Sequence, residues 1–284
     1  MPSLRMTALR RIQENLSRWR EIAGILVKYG FQDLLDPLGL GSLGHWLQGQ
    51  VPGAEVARLP REVRLRLALT ELGTTGIKLG QILSTRADLV GAELATELER
   101  LQADGPADPP EEVRARVEAE LGQPLETVFR DFEDRPLASA SIAQVHAARL
   151  AGGERVVLKL RHRGVSDRVR VDLAILGDLV SLAERVPDFA AYRPRRVYQE
   201  FRRTLLRELD LSLELAHMRR IAEIFRAQSQ IRVPKAYPQF STRRLLTMER
   251  LEGVRVNDLT ALRASGLDLD ALARRGAEMY MEII

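Results

Sequence analysis

The apolar positions of this chain recur first at helical and then at strand spacing. Leu9, Ile12, Leu16, Trp19, Ala23 and Leu26 step by threes and fours, which predicts an amphipathic first helix with arginines off its apolar stripe. Such a helix packs on its own domain or lies on a membrane surface, and periodicity alone favours the first. Asp36–Gly53, with five glycines and two prolines, reads as a connector. Helix is predicted again from Pro60, through Val63 and Leu67 and on to Lys78. A further helix is predicted from Gly91 to Gln102. "DGPADPP", Asp104–Pro110, breaks the chain, and a helix with an acidic first turn runs from Glu111 to near Gly122.

From Val128 the spacing changes to alternation. Ile142, Gln144, His146 and Ala148 fall on one face of a strand, and Ala143, Val145 and Ala147 on the other. Gly152-Gly153 marks a hairpin turn. The return strand puts Val157 and Lys159 on one face and Val156, Leu158 and Leu160 on the other. Pro194 to Arg226 reads as one long helix. Val233–Pro238, with two prolines, reads as an edge or connecting strand, and Leu245–Glu249 as a buried strand leading to a turn at Gly253. The last thirty residues are predicted helical. No internal repeat is visible.

Composition removes several classes of function. There are no cysteines, so disulfides, thiolate metal sites and cysteine nucleophiles are excluded, and a cytoplasmic setting is expected. The four histidines, His45, His146, His162 and His217, lack metal-ligand spacing, and no metal site is expected. The net charge of +4 is uneven: Met1–Phe31 carries six basic and two acidic residues, which suits an anionic membrane surface or acidic partner. Aromatics are 5% and do not interleave with the basic residues, so nucleic-acid binding is not expected. Neither a secretory signal nor an apolar run of spanning length is present.

The chain holds only four lysines against thirty-nine arginines. Lys159, taken alone, reads as the solvated face of a strand. Its surroundings add a second reading. A hairpin, a strand ending apolar-apolar-Lys, a helix with an inward carboxylate and a buried strand form the order of a protein-kinase N-lobe, in which a strand lysine holds nucleotide phosphates and a helix glutamate positions it. Asp210, Glu214, His217 and Ile221 share one face of the predicted long helix, and Glu214 suits that partner role. A glycine-rich loop is absent: Ala138-Ser139-Ala140-Ser141 stands in its place, with small side chains that let phosphates approach and a Cβ on every residue.

Four motifs in order make the chain resemble the UbiB/AarF family of atypical kinase-like proteins. Lys78-Leu79-Gly80-Gln81 resembles the family's Lys-x-Gly-Gln motif. Ala138–Ser141, running into "SIAQVH", resembles its alanine-rich loop. Lys159 in "VVLK" matches the nucleotide lysine. Glu208-Leu209-Asp210 resembles the Glu-x-Asp motif, with Glu214 as the helix glutamate. "MERLEGV" is similar to the hinge that holds adenine, which places Met248, Glu249 and Leu251 at the nucleotide.

The resemblance implies an α+β fold: a kinase-like N-lobe of antiparallel sheet and helix, preceded by a helical extension carrying Lys-x-Gly-Gln, with the C-lobe largely missing. The expected divisions are 1–59 extension and connector, 60–127 Lys-x-Gly-Gln region, 128–254 N-lobe and hinge, and 255–284 start of the C-lobe. It implies that Lys78, Gly80 and Gln81 form a lid reaching Glu208 and Asp210, which blocks peptide substrates. The cofactors implied are ATP or ADP with Mg2+, whose ligands and the catalytic base are expected after Ile284, so no catalytic residue is assigned within the chain. The implied function is an atypical kinase or ATPase supporting ubiquinone or other prenylquinone biosynthesis at a membrane, peripheral or anchored, on a small molecule or lipid. A prenylquinone lipid, quinone-biosynthesis enzymes and a second copy of the chain are the expected partners. The alternative is a nucleotide-binding scaffold or lipid-handling chaperone without phosphotransfer. A kinase of antibiotics or choline shares the lobe but gives no account of Lys78–Gln81.

Overall fold

A computed structural model describes residues 16–34, 56–101, 105–184 and 193–283. Leu9, Ile12, the Asp36–Gly53 connector, Gln102, Asp104 and Ile284 lie outside the described residues. The chain forms two compact units, one of residues 1–108, 139–143 and 161–209, the other of 109–138, 144–160 and 210–284.

The first unit is helical. It contains α1 (16–28), α2 (Arg61–Glu71), α3 (Thr74–Ser84), α4 (Ala87–Val90), α5 (Ala92–Leu98), α8 (Val165–Ala183) and α9 (Pro194–Glu208). α1 packs within the unit: Ile25, Tyr29 and Phe31 are buried with Ala68 of α2. The burial corrects the predicted stripe in detail, since Leu16 is exposed while Arg18 is buried. The run predicted from Pro60 to Lys78 is broken at Gly73, whose φ of +82° is a conformation that glycine adopts without a Cβ penalty. α8 has no counterpart in the predicted elements. Its Val165, Val169 and Leu173 step by fours and are buried with Phe201 and Leu205 of α9.

The second unit is a sheet with helices. It holds α6 (Pro110–Leu121), α7 (Leu125–Val128), β1 (Phe129–Arg130), most of the sheet and α10 (Leu211–Ile224), followed by α11 (Leu259–Ala264) and α12 (Leu269–Ile283). The strand order is β1-β3-β4-β5, with β3 Ala143–Leu150, β4 Arg155–Arg161 and β5 Leu245–Glu249; β2 (Ala138–Ser139) pairs with β3. β4 and β5 are antiparallel, with Lys159 opposite Leu246. The β3–β4 turn uses Gly153 at φ +95°, as the Gly-Gly pair predicts. Val156, Leu158 and Leu160 point to one face and are sealed by Val113 and Val117 of α6 and by Leu125 and Val128 of α7. Fully burying each of these side chains stabilises by about 1.5–3 kcal/mol.

Three further predicted elements differ. Pro194–Arg226 is not one helix, because Asp210 adopts an extended conformation (φ −109°, ψ 95°) and its side chain caps the N-terminus of α10 by accepting from the Ser212 N–H at 3.0 Å. Asp210 therefore precedes the helix face that Glu214 occupies. Val233–Pro238 forms no strand: its link to the sheet is an isolated bridge between Ala236 and Met248, since two prolines remove two ladder donors. The helix predicted at the end is two, separated at Gly266.

Candidate functional site

In the second unit the alternating Val156, Leu158 and Leu160 of β4 are buried on one face, so Lys159 leaves by the face opposite the α6 core. Glu214 lies in the first turn of α10, where a carboxylate suits the helix dipole. The two meet: Lys159 Nζ donates to both Glu214 oxygens, at 2.7 and 3.0 Å. The side chains are 30% and 39% exposed, so water screens the attraction and the pair adds little stability. Its significance is geometric, because an ammonium held this way is aimed instead of mobile.

At the end of β5, Met248 pairs with Val157 and with Ala236. Glu249 accepts from the Lys235 N–H at 3.1 Å and pairs with Arg232. The backbone N–H of Lys235, and then the Arg232 guanidinium, hold its carboxyl below the usual carboxylate range. Glu249 is thus occupied in tying down the segment beside β5. Leu251 is exposed in the segment that follows.

In the first unit, Lys78 Nζ lies 2.7 Å from Glu208 Oε2. The predicted contact with the first acid of Glu208-Leu209-Asp210 is present. Asp210 uses its carboxylate for the α10 cap and for Arg243, at 3.4 Å. Gln81 makes no side-chain hydrogen bond among the described residues. Gly80 has a packing role: a Cβ there would stand 2.2 Å from Leu101 Cδ1 and 3.1 Å from Leu69 Cδ1.

The 139–141 loop is held by its carbonyls. The Ser139 carbonyl accepts from the Gly105 N–H at 3.1 Å, Ala140 O lies 2.9 Å from His162 Nε2, and the Ser141 carbonyl accepts from the Thr74 hydroxyl at 2.6 Å. The Ala140 N–H donates to the Ala143 carbonyl at 2.9 Å and closes the turn. Ser139 donates its hydroxyl to the Pro106 carbonyl at 3.2 Å, so this hydroxyl hydrogen is turned to the protein.

A buried network escaped the sequence reading. Arg18 Nε donates to Asp172 Oδ1 at 2.6 Å, its Nη2 donates to the Leu72 carbonyl at 2.7 Å, and the Thr75 hydroxyl donates to Asp172 Oδ2 at 2.7 Å. It joins α1 and α8 to the start of the Lys-x-Gly-Gln helix. Nothing in the spacing links positions 154 and 97 residues apart, although Asp172 on the apolar stripe of α8 is a signal of a partnered buried charge.

The sheet, the strand lysine and its helix glutamate define a kinase-like N-lobe, and the ABC1 atypical kinase-like domain matches residues 100–284. The chain is 41% identical over 271 residues to "Probable protein kinase UbiB" of Pseudomonas paraeruginosa (strain DSM 24068 / PA7), covering 93% of this chain and 50% of that protein. It is 40% identical over 273 residues to the protein of the same name from Azotobacter vinelandii, with the same coverage of 93% and 50%. The chain belongs to the UbiB/AarF family of atypical kinase-like proteins, and it spans about half the length of the curated relatives it matches. Among solved structures, the Rv3197–erythromycin complex from Mycobacterium tuberculosis aligns with a TM-score of 0.48 and 27% identity, over 67% of this chain and 48% of that one.

Proposed function

We propose that this chain carries the nucleotide-holding part of an atypical kinase or ATPase that supports ubiquinone, or another prenylquinone, biosynthesis at a membrane. The observation that carries the reading is the Lys159–Glu214 pair, with the ammonium bonded to both carboxylate oxygens at 2.7 and 3.0 Å. A strand lysine so aimed can neutralise nucleotide phosphates, and Met248–Leu251 at the end of β5 provides backbone groups for an adenine. Lys159 and Glu214 fit the phosphates of ATP or ADP. No three His, Cys, Asp or Glu residues cluster to hold a metal among the described residues.

The Lys78–Glu208 contact ties the Lys-x-Gly-Gln helix to α9, and the reading takes a small-molecule or lipid substrate instead of a peptide. Membrane association is read from the basic Met1–Phe31 segment, since no described helix is long and apolar enough to cross a membrane. Quinone-biosynthesis enzymes are the partners this reading names.

Titration of the chain with a fluorescent ATP analogue tests the reading. Lys159→Ala should weaken binding about tenfold or more, and Lys159→Arg should not restore it, because a planar guanidinium is too broad for a point-charge position. Equal affinity of wild type and Lys159→Ala would refute the assignment.

A further inference from the structure

We propose that the recess between α10 and the segment 234–236 is a binding site for a soluble oligophosphate, a chain of two or three linked phosphate groups. The site lies wholly within the second unit and does not rest on the nucleotide reading. The recess has a volume of about 660 Å³, and its wall carries four cations, Arg219, Arg220, Arg226 and Lys235, against one carboxylate, Glu223. Arg219, Arg220, Glu223 and Arg226 recur by threes and fours, so they share one side of α10. At about 3.6 residues per turn that side is turned away from Glu214. The cationic wall is therefore distinct from the place where Glu214 meets Lys159.

These cations are not consumed by the protein. Glu223 pairs with Arg226, while Arg219 and Arg220 make no hydrogen bond or ion pair among the described residues. Lys235 comes from the other wall, and its backbone is fixed on both sides. Its N–H donates to the Glu249 carboxylate at 3.1 Å, and its carbonyl accepts from the Glu249 N–H at 2.8 Å. Its ammonium stands 5.0 Å from the centre of the Tyr237 ring, which is buried. Arginines on one helix face alone would be an ordinary solvated surface. Positive charge on both walls of a recess focuses the field and concentrates anions there.

The residue types and their spacing set the ligand class. A guanidinium fork matches two phosphate oxygens at once. Arg220 and Arg226 stand about 9 Å apart along the helix axis at about 1.5 Å per residue. A lone phosphate group reaches one end of such a wall, and a chain of phosphates reaches both. The Arg226–Glu223 pair is 74% and 64% exposed, so water already weakens it and Arg226 is free to turn to a ligand. Ala216 and Ala222 leave room beside the arginines. An anionic bilayer offers phosphates too, but a bilayer is met by a protruding face, and these cations line a recess.

Isothermal titration calorimetry of the chain with tripolyphosphate tests the site. Arg219→Gln with Arg220→Gln should weaken binding about tenfold or more, with the unliganded thermal midpoint unchanged because both side chains are exposed. Lys235→Gln, on the other wall, gives an independent reading and should weaken binding about threefold or more. Arg202→Gln with Arg203→Gln removes the same charge from the exposed side of α9 and should leave the affinity as it is. The Lys159→Ala chain should still bind tripolyphosphate, and should lose that binding when Arg219→Gln and Arg220→Gln are added, so this site and the nucleotide reading fail separately. Equal affinity of wild type and the Arg219, Arg220 variant overturns the proposal. An equal loss in the Arg202, Arg203 variant overturns it too, since the attraction would then be net charge alone. Wild type that ignores tripolyphosphate but binds phosphatidylcholine vesicles containing phosphatidylglycerol through Arg219 and Arg220 overturns it in favour of a bilayer.

Discussion

At Gly80 the backbone of α3 runs so close to Leu101 and Leu69 that hydrogen is the only side chain with room. The glycine of the Lys-x-Gly-Gln motif thus lets α3 sit deep enough for Lys78, two residues earlier, to emerge beside Glu208. Leu69, Leu98 and Leu101 form the buried cluster it leans on. Gly80→Ala should destabilise by about 1–3 kcal/mol through overpacking, in spite of the better helix propensity of alanine. A lowered midpoint in urea unfolding checks this, and an unchanged midpoint would mean that Leu101 moves aside freely. The Lys78–Glu208 contact was legible in the sequence, and the packing duty of the motif's glycine was not, since Leu101 follows outside the motif. The Arg18–Asp172 pair is similarly silent in the sequence. Its side chains are each 6% exposed, and removing one partner of such a pair typically costs about 3–5 kcal/mol because the other charge is left buried.

Where α9 gives way to α10, one residue ends the helical run and caps the next helix. Periodicity runs through Glu208-Leu209-Asp210 without interruption, because Leu205, Leu209 and Leu213 step by fours. Spacing therefore reports one helix, and only the conformation of Asp210 reveals two. The Asp210 side chain replaces a helical carbonyl as acceptor for the Ser212 N–H, while the Leu211 N–H donates across to the Arg243 carbonyl at 3.1 Å. Asp210→Ala should cost about 0.5–2 kcal/mol as a lost N-cap. Because Glu214 stands one turn inside α10, fraying from this end should also weaken the Lys159 pair, and nucleotide affinity should fall together with the thermal midpoint. Loss of the midpoint with affinity intact would separate the cap from the site. Strands were read more faithfully than helices here. The alternation of Val156, Leu158 and Leu160 against Lys159 specifies face and register at once, since a one-residue slip would bury the lysine. α8 escaped notice because its stripe includes Asp172, which reads as a polar interruption until its partner on α1 is known.

Across the whole chain, apolar surface is unevenly distributed. Each unit has its own buried clusters, built from α2, α3, α5, α8 and α9 in one and from the sheet with α6 and α7 in the other. Yet among the described residues, nine of the thirteen exposed large apolar side chains fall between Leu251 and Ile283, including Val256 at 76%, Tyr280 at 64% and Met281 at 72%. The same helix α12 carries Asp270, Arg274, Arg275, Glu278 and Glu282, so its polar positions are provided for and its apolar ones are not. Apolar groups concentrated this way favour association with other apolar surfaces, and in a solution of the chain alone the available surface is another copy. Self-association should therefore depend on α12. Tyr280→Gln with Met281→Gln should lower the sedimentation coefficient at high protein concentration towards that of one chain. Since neither side chain is buried, the change in unfolding free energy should stay within about 0.5 kcal/mol. Sedimentation that is the same for wild type and the double variant at every concentration would place any association elsewhere. A stability loss of several kcal/mol would instead show that Tyr280 and Met281 are packed within the chain, and the same two measurements on Val256→Thr, outside both helices, would separate the helix face from the segment that precedes it.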